Sequence, residues 1–228
     1  MKDRKILWFE AGYPKPAEPI QEWNWAYIAD HWVRVAAMFI LILTGFYIHY
    51  PFIAGGPDSM IMANMRFFHF VAAYAFIIGL VIRVYMAFFS RFDADWKDFG
   101  IFSNLINVPD IAMWYLFLKK DHRKYRKYNP LQAYAYLGVA FLVVLSAVTG
   151  FAIYHGKILM FIDSQAAFGW VNHLLGGEAI TRILHVLIMW CFIIFMIIHV
   201  YLSWMNSAVK RDESFTSIFT GYKLPVDH

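Results

Sequence analysis

The sequence predicts an all-α membrane protein: a bundle of four transmembrane helices, with one further amphipathic helix lying in the cytoplasmic interface. Three observations carry that expectation. Hydrophobic residues make up 61% of the chain and charged residues only 16%, a balance outside the range of soluble domains. The apolar residues gather into four long runs, each able to cross a hydrocarbon layer about 30 Å thick. The basic residues crowd into stretches beside those runs, which is the pattern of an orientation signal. The net charge of +4 is therefore no argument for a nucleic-acid partner; lipid is the surrounding the chain is built for.

Residues 1–25 read as a cytoplasmic tail in which Pro14, Pro16 and Pro19 oppose helix. Its first ten residues lack the apolar core and small-residue cleavage site of a signal peptide. A transmembrane domain follows over residues 26–208, with spans at about 30–50, 66–89, 131–154 and 180–204, and residues 209–228 form a second cytoplasmic tail. The first span ends at Pro51, before the turn Gly55-Gly56-Pro57-Asp58. Between the second and third spans, Ile111 to Leu118 is apolar but too short to cross. It meets Lys119-Lys120-Asp121-His122-Arg123-Lys124 and reads as the interfacial helix. The third span starts after Asn129-Pro130, and the loop 156–179 leads to the fourth. Residues 90–129 carry Arg91, Lys97, Lys119, Lys120, Arg123, Lys124, Arg126 and Lys127, whereas residues 51–65 carry no Lys or Arg. The positive-inside rule then places both termini and the 90–129 segment in the cytoplasm.

Four histidines lie at membrane depth. His185 and His199 share the last span fourteen residues apart, so they stand on one helical face about 21 Å from each other. By span direction His31 lies near the inner side and His69 near the outer side. The four sort into an outer pair, His69 with His185, and an inner pair, His31 with His199. An imidazole in lipid is costly unless ligated or paired, and two stacked haems would satisfy all four. The single cysteine, Cys191, excludes an internal disulfide, an all-cysteine iron–sulfur cluster and a C-x-x-C-H attachment. The haems would therefore be two non-covalent haems b, and the bundle a dihaem bundle. His49, His122, His155, His173 and His228 have no partner at membrane depth and are set aside.

Other residues fall into place around these pairs. Thr44-Gly45-Phe46 in span one matches Thr149-Gly150-Phe151 in span three, and Arg66-x-x-His69 matches Arg182-x-x-His185, as if the chain were two copies of one hairpin. Gly45 and Gly150 permit close approach of a macrocycle, while Gly79 and Gly138 are assigned to packing. Arg66 and Arg182 at the outer level, with Arg34 and Arg83 at the inner level, suit haem propionates. Asn129, Gln132 and Tyr136, at the cytoplasmic start of span three, are placed for a quinone headgroup near the inner pair. A helix cap followed by Pro explains Asn129-Pro130 equally well.

Across nearly its whole length the chain resembles the cytochrome b subunit of membrane-bound nickel–iron uptake hydrogenases. The resemblance rests on Arg182-x-x-His185-x-x-x-x-Trp190-x-x-x-x-Phe195-x-x-x-His199-Val200-Tyr201, on His31-Trp32-x-Arg34 with Thr44-Gly45-Phe46-Tyr47-Ile48 and Pro51, and on Arg66-Phe67-x-His69-Phe70 with Arg83-x-Tyr85 and Phe88-Phe89. It implies His31, His69, His185 and His199 as axial ligands. It also implies a periplasmic nickel–iron hydrogenase, small and large subunits, anchored by this chain and passing electrons from an iron–sulfur centre through two haems to menaquinone or ubiquinone. The family pattern often has a basic residue where this chain has Val186, and an Arg where it has Ile28. The gamma subunit of a formate dehydrogenase is the nearest alternative. A haem-free anchor or transporter is the alternative from another class, and it leaves four intramembrane histidines without a purpose.

Overall fold

The computed structural model describes residues 18–52, 58–89, 105–116, 118–119, 129–210 and 213–224. The tail up to residue 17, the turn residues 55–57, His122, His228 and the basic residues of 90–129 other than Lys119 lie outside them. In chain order the elements are β1 (Ile20–Gln21), α1 (Trp25–His49), α2 (Met60–Phe89), a 3-10 turn (Leu105–Asn107) opening α3 (Val108–Tyr115), α4 (Pro130–Ala152), β2 (Lys157–Ile158), β3 (Ile162–Asp163), α5 (Ser164–Leu175), α6 (Glu178–Lys210), α7 (Ser217–Thr220) and β4 (Tyr222–Lys223). The protein is an all-α bundle, and α1, α2, α4 and α6 are each long and apolar enough to span a membrane.

All four helices start before the expected spans, whereas α1 and α4 end slightly short of theirs, α2 ends with its span and only α6 runs on, to Lys210. Asn24 caps α1, its side chain accepting from Tyr27 N at 2.9 Å. Asn129 and Gln132 close a reciprocal capping box on α4, with Pro130 in the first turn. The short α3 occupies the place expected for the interfacial helix; Lys119 forms an ion pair with its Asp110. The loop 156–179 holds more structure than its sequence was read to contain. A β2–β3 hairpin and the twelve-residue α5 fold back over the end of α4. Ser164 Oγ donates to Phe151 O at 2.6 Å and Asn172 Nδ2 to Ala152 O at 2.7 Å, so the last carbonyls of α4 are satisfied. Asp163 caps α5, and Gly176, at φ +91, ends it.

Around the bundle the spans run α1, α2, α4, α6. Neighbours α1 and α2 pack closely, as do α4 and α6. The backbone of α6 approaches α1 at only a few positions. A central layer of Ala37, Ala72, Phe76, Val143, Ile188 and Phe192 holds the four spans together. The outward faces stay apolar, with Leu43, Ile78, Phe141 and Ile197 exposed as lipid-facing residues are.

The two chain ends meet on one face, here called basal. Strands β1 and β4 pair antiparallel, Gly221 O accepts from Glu22 N and Trp23 N, and Glu22 binds Lys223 at 2.9 Å. Trp23 Nε1 donates to Ser217 Oγ and Trp32 Nε1 to Ile218 O. The described parts of both tails are thus folded into one clasp beneath α1, where the sequence was read as two separate tails.

Candidate functional site

The distal half of the bundle brings His69 of α2 and His185 of α6 face to face across the diagonal. Their ring centres are 6.4 Å apart with planes at 61°. Each ring is held by a threonine of the neighbouring span. Thr44 Oγ1 lies 2.9 Å from His69 Nδ1, and Thr149 Oγ1 lies 2.9 Å from His185 Nδ1. Both hydroxyls already donate to their own helix, Thr44 to Ile40 O at 2.6 Å and Thr149 to Leu145 O at 2.8 Å. A hydroxyl whose proton is committed can only accept, so Nδ1 of each ring carries the hydrogen and Nε2 keeps its lone pair. That is the tautomer a metal ligand needs, fixed by the bond its other nitrogen makes.

The glycines beside these threonines make the approach possible. A Cβ on Gly45 would meet His69 Cε1 at 3.5 Å, and one on Gly150 would meet His185 Cε1 at 3.1 Å. At both positions the space a Cβ would fill is bordered by the facing histidine ring. The two sides are unequal, which gives a direct expectation. Gly150→Ala must displace the His185 ring by a few tenths of an ångström and should lower bound haem and shift its absorption band. Gly45→Ala, in ordinary van der Waals contact, should leave both near wild type. Equal loss in the two variants would contradict that assignment of space.

At the basal level His31 of α1 lies within electrostatic range of His199 of α6. His199 stacks on Phe195 with ring centres 5.4 Å apart, and His31 meets Trp32 edge-on. The His31 Nδ1 atom is buried and has no hydrogen-bond partner among the described residues. Between the two levels Phe76 and Phe192 meet edge to face at 5.7 Å.

The internal repeat explains why the two levels differ. A shift of 105 residues carries Thr44-Gly45 onto Thr149-Gly150, and a shift of 116 carries His69 onto His185 and Phe76 onto Phe192. The same shifts carry His31 onto Tyr136 and Arg83 onto His199. The distal pair is therefore related by the repeat. The basal pair is not, and its symmetry mates are a phenol and a guanidinium.

The remaining expected site residues are distributed as follows. Arg182 is exposed and bound to Glu178 at 2.5 Å, and Glu178 also faces His155 Nε2 at 3.3 Å. Arg66 is exposed and makes no ion pair among the described residues. Arg34 is paired with the buried Asp30 at 2.7 Å. Arg83 lies over the Tyr27 ring at 5.1 Å, and Tyr136 stands within electrostatic range of Tyr27, Arg83, Tyr115 and Arg34. The oxygens of Asn129 and Gln132 are engaged in the α4 cap, and Asn129 Nδ2 donates to Tyr115 OH at 3.0 Å. Burial pushes the Tyr115 phenol up, opposed by that bond. Thr44, Thr149, Asp30, Glu178, Phe76 and Phe192 had no individual role in the sequence argument. The repeat contained a signal for the two threonines, since both copies keep Thr before Gly.

A membrane bundle with imidazoles facing across such a gap has the architecture of a membrane cytochrome. The chain belongs to the prokaryotic cytochrome b561 family, whose description matches residues 22–221. It is similar to the probable Ni/Fe-hydrogenase B-type cytochrome subunit of Cupriavidus necator, 32% identical over 200 residues, covering 85% of this chain and 82% of that one. The subunit of the same name in Azotobacter vinelandii is 31% identical, with 85% and 84% covered. The probable Ni/Fe-hydrogenase 1 B-type cytochrome subunit of Escherichia coli K12 is 28% identical, with 85% and 86% covered.

The family implies a b-type haem, and the distal pair fits one. Two collinear metal–imidazole bonds of about 2.0 Å, with each ring centre about 1.1 Å behind its nitrogen, separate the centres by about 6.2 Å. The observed 6.4 Å leaves room for one iron. Among the described residues no cluster of three or more His, Cys, Asp or Glu forms, so an iron here would have two protein ligands and take the rest from its macrocycle.

Proposed function

We propose that this chain is the dihaem cytochrome b of a nickel–iron hydrogenase, anchoring that enzyme to the bacterial inner membrane and delivering its electrons to the quinone pool. The observation that carries the proposal is the distal pair, two threonine-braced imidazoles from diagonal spans with ring centres 6.4 Å apart. The names borne by the relatives support the hydrogenase as partner. His69 and His185 would hold one haem b, and His31 and His199 the other. When bound, two haems without an open axial position carry single electrons and leave oxygen unactivated.

The chain's own residues arrange the rest. Phe76 and Phe192 keep the interval between the two levels apolar and free of water. The hydrogenase, with its iron–sulfur small subunit, docks at the distal face, which is periplasmic if both termini are cytoplasmic. A menaquinone or ubiquinone is reduced toward the basal side. There Tyr136 and Arg83 are better placed to meet its headgroup than Asn129 and Gln132, which serve the cap. Arg34 and Arg182 reach the propionates only by sharing themselves with Asp30 and Glu178.

The test is a reduced-minus-oxidised spectrum of the purified chain with a haem count. Two haems b per chain are expected, and a nickel–iron protein should copurify. A chain without haem absorbance, or one that brings down a molybdenum enzyme instead, would end this reading.

A further inference from the structure

We propose that Thr44 and Thr149 are positioning residues that give the distal iron site a lower reduction potential than the basal one. The inference rests on the dihaem reading above and goes beyond it to the order of the two sites.

The two ligand pairs differ in how their rings are held. In the distal pair both rings donate from Nδ1 to a hydroxyl oxygen at 2.9 Å, and both hydroxyls donate onward to a helix carbonyl. The onward donation polarises the Thr oxygen, and Leu41 O and Ser146 O lie 3.3 and 3.2 Å from the same two hydroxyls. A ring that donates strongly from Nδ1 is a more basic ligand at Nε2. A more basic ligand stabilises the oxidised iron more than the reduced iron, so the potential falls. In the basal pair this support is missing. Among the described residues His31 Nδ1 is buried without a hydrogen-bond partner, and the His199 ring stacks on Phe195.

The asymmetry follows from the repeat. Each Thr-Gly pair supplies a hydroxyl and, beside it, the missing Cβ that lets the facing ring reach that hydroxyl. No second copy of this device stands at the basal level, where the repeat places Tyr136 and Arg83 opposite His31 and His199. One electron leaving the distal site oxidises it and reduces the basal site, and the iron–sulfur donor of the proposed complex replaces it. Ordered potentials make that transfer downhill toward the quinone side, so the two threonines give the wire its direction.

The experiment is a redox titration of the purified, haem-loaded chain, followed by its absorption bands, in wild type, T44V/T149V and T44S/T149S. Valine keeps the shape and removes the hydroxyl; serine restores it. The lower of the two potentials should rise in the valine chain by about tenfold in the reduction equilibrium, which is 59 mV for one electron. The higher potential should stay, and the serine chain should follow wild type. If both potentials stay put with two haems bound, or if the higher one moves, the inference is wrong while the dihaem reading survives. If wild type itself lacks two haems, the reading beneath it fails instead. Should the double valine chain shed a haem, the single variant T44V, on the looser side, decides by the same two outcomes.

Discussion

Replacing His185 with alanine is expected to remove one haem of two, and replacing His69 as well should remove no more. The prediction follows from shared ligation. His69 and His185 face one gap, with ring centres 6.4 Å apart and their Nδ1 atoms engaged by Thr44 and Thr149 respectively. Once one imidazole is gone, the site is already broken, so within a pair the losses are not additive. Across pairs they should add: His69→Ala with His31→Ala should leave a chain with no haem. His49 and His155 give the controls. Both rings are exposed, with His155 beside Glu178, and alanine at either should leave two haems. The expected effect on electron delivery is complete loss in every ligand variant, because a two-centre relay has no bypass. The two levels still differ in one respect. With His199→Ala the hydrogenase should reduce the haem that remains; with His185→Ala it should not, since the surviving site lies farther from the donor. Haem counts and hydrogen-driven spectra of the four single and two double variants check the scheme. A His69→Ala/His185→Ala chain that lost both haems would break the assignment of pairs.

The features most readable from sequence were those governed by the solvent. A lipid core demands long apolar runs and makes each buried imidazole conspicuous, so the four spans and the four histidines stood out at once. The level of each histidine followed from span direction alone. What the sequence concealed depends on which neighbour a side chain finds. A threonine inside a helix ordinarily bonds the carbonyl a turn earlier, and Thr44 and Thr149 do so. Their second bond, to a ring from another span, could not be inferred from one helix. Helix ends were concealed for a different reason. Hydropathy marks the limits of the lipid, whereas Asn24 and Asn129 mark where α1 and α4 begin. The α5 helix did leave a trace, with Asp163 at its start and Gly176-Gly177 at its end. In a loop between two spans that trace is easily read as turn chemistry. The basal clasp left none, because two-residue strands joined across some 200 residues have no local pattern.

Removing the Asp30 carboxylate is expected to destabilise the bundle by about 3 kcal/mol, the range of a broken buried ion pair. Asp30 and Arg34 lie one turn apart on α1, 2.7 Å between oxygen and nitrogen, with their side chains 5% and 23% exposed. Gly79 of α2 makes room for them, since a Cβ there would come within 2.5 Å of Arg34 Cγ and 3.3 Å of Asp30 Oδ1. The guanidinium is thus pinned between two spans, with limited freedom to swing out to water. In Asp30→Ala its charge stays behind without the counter-charge, and desolvation is no longer offset. Arg34→Leu added to Asp30→Ala removes that charge and should recover most of the loss, because a well-packed apolar pair is no worse than a buried ionic one. The measurement is unfolding of the detergent-solubilised chain, followed by helical circular dichroism. Recovery in the double variant is the decisive result; equal destabilisation of single and double variants would mean that Asp30 acts through the α1 backbone and not through Arg34. The same variants bear on the basal site. Arg34 lies within electrostatic range of His31, one turn away, and Asp30 masks it. Exposing that positive charge should favour the reduced state of the basal haem, so Asp30→Ala should raise the higher potential and leave the lower one where it was.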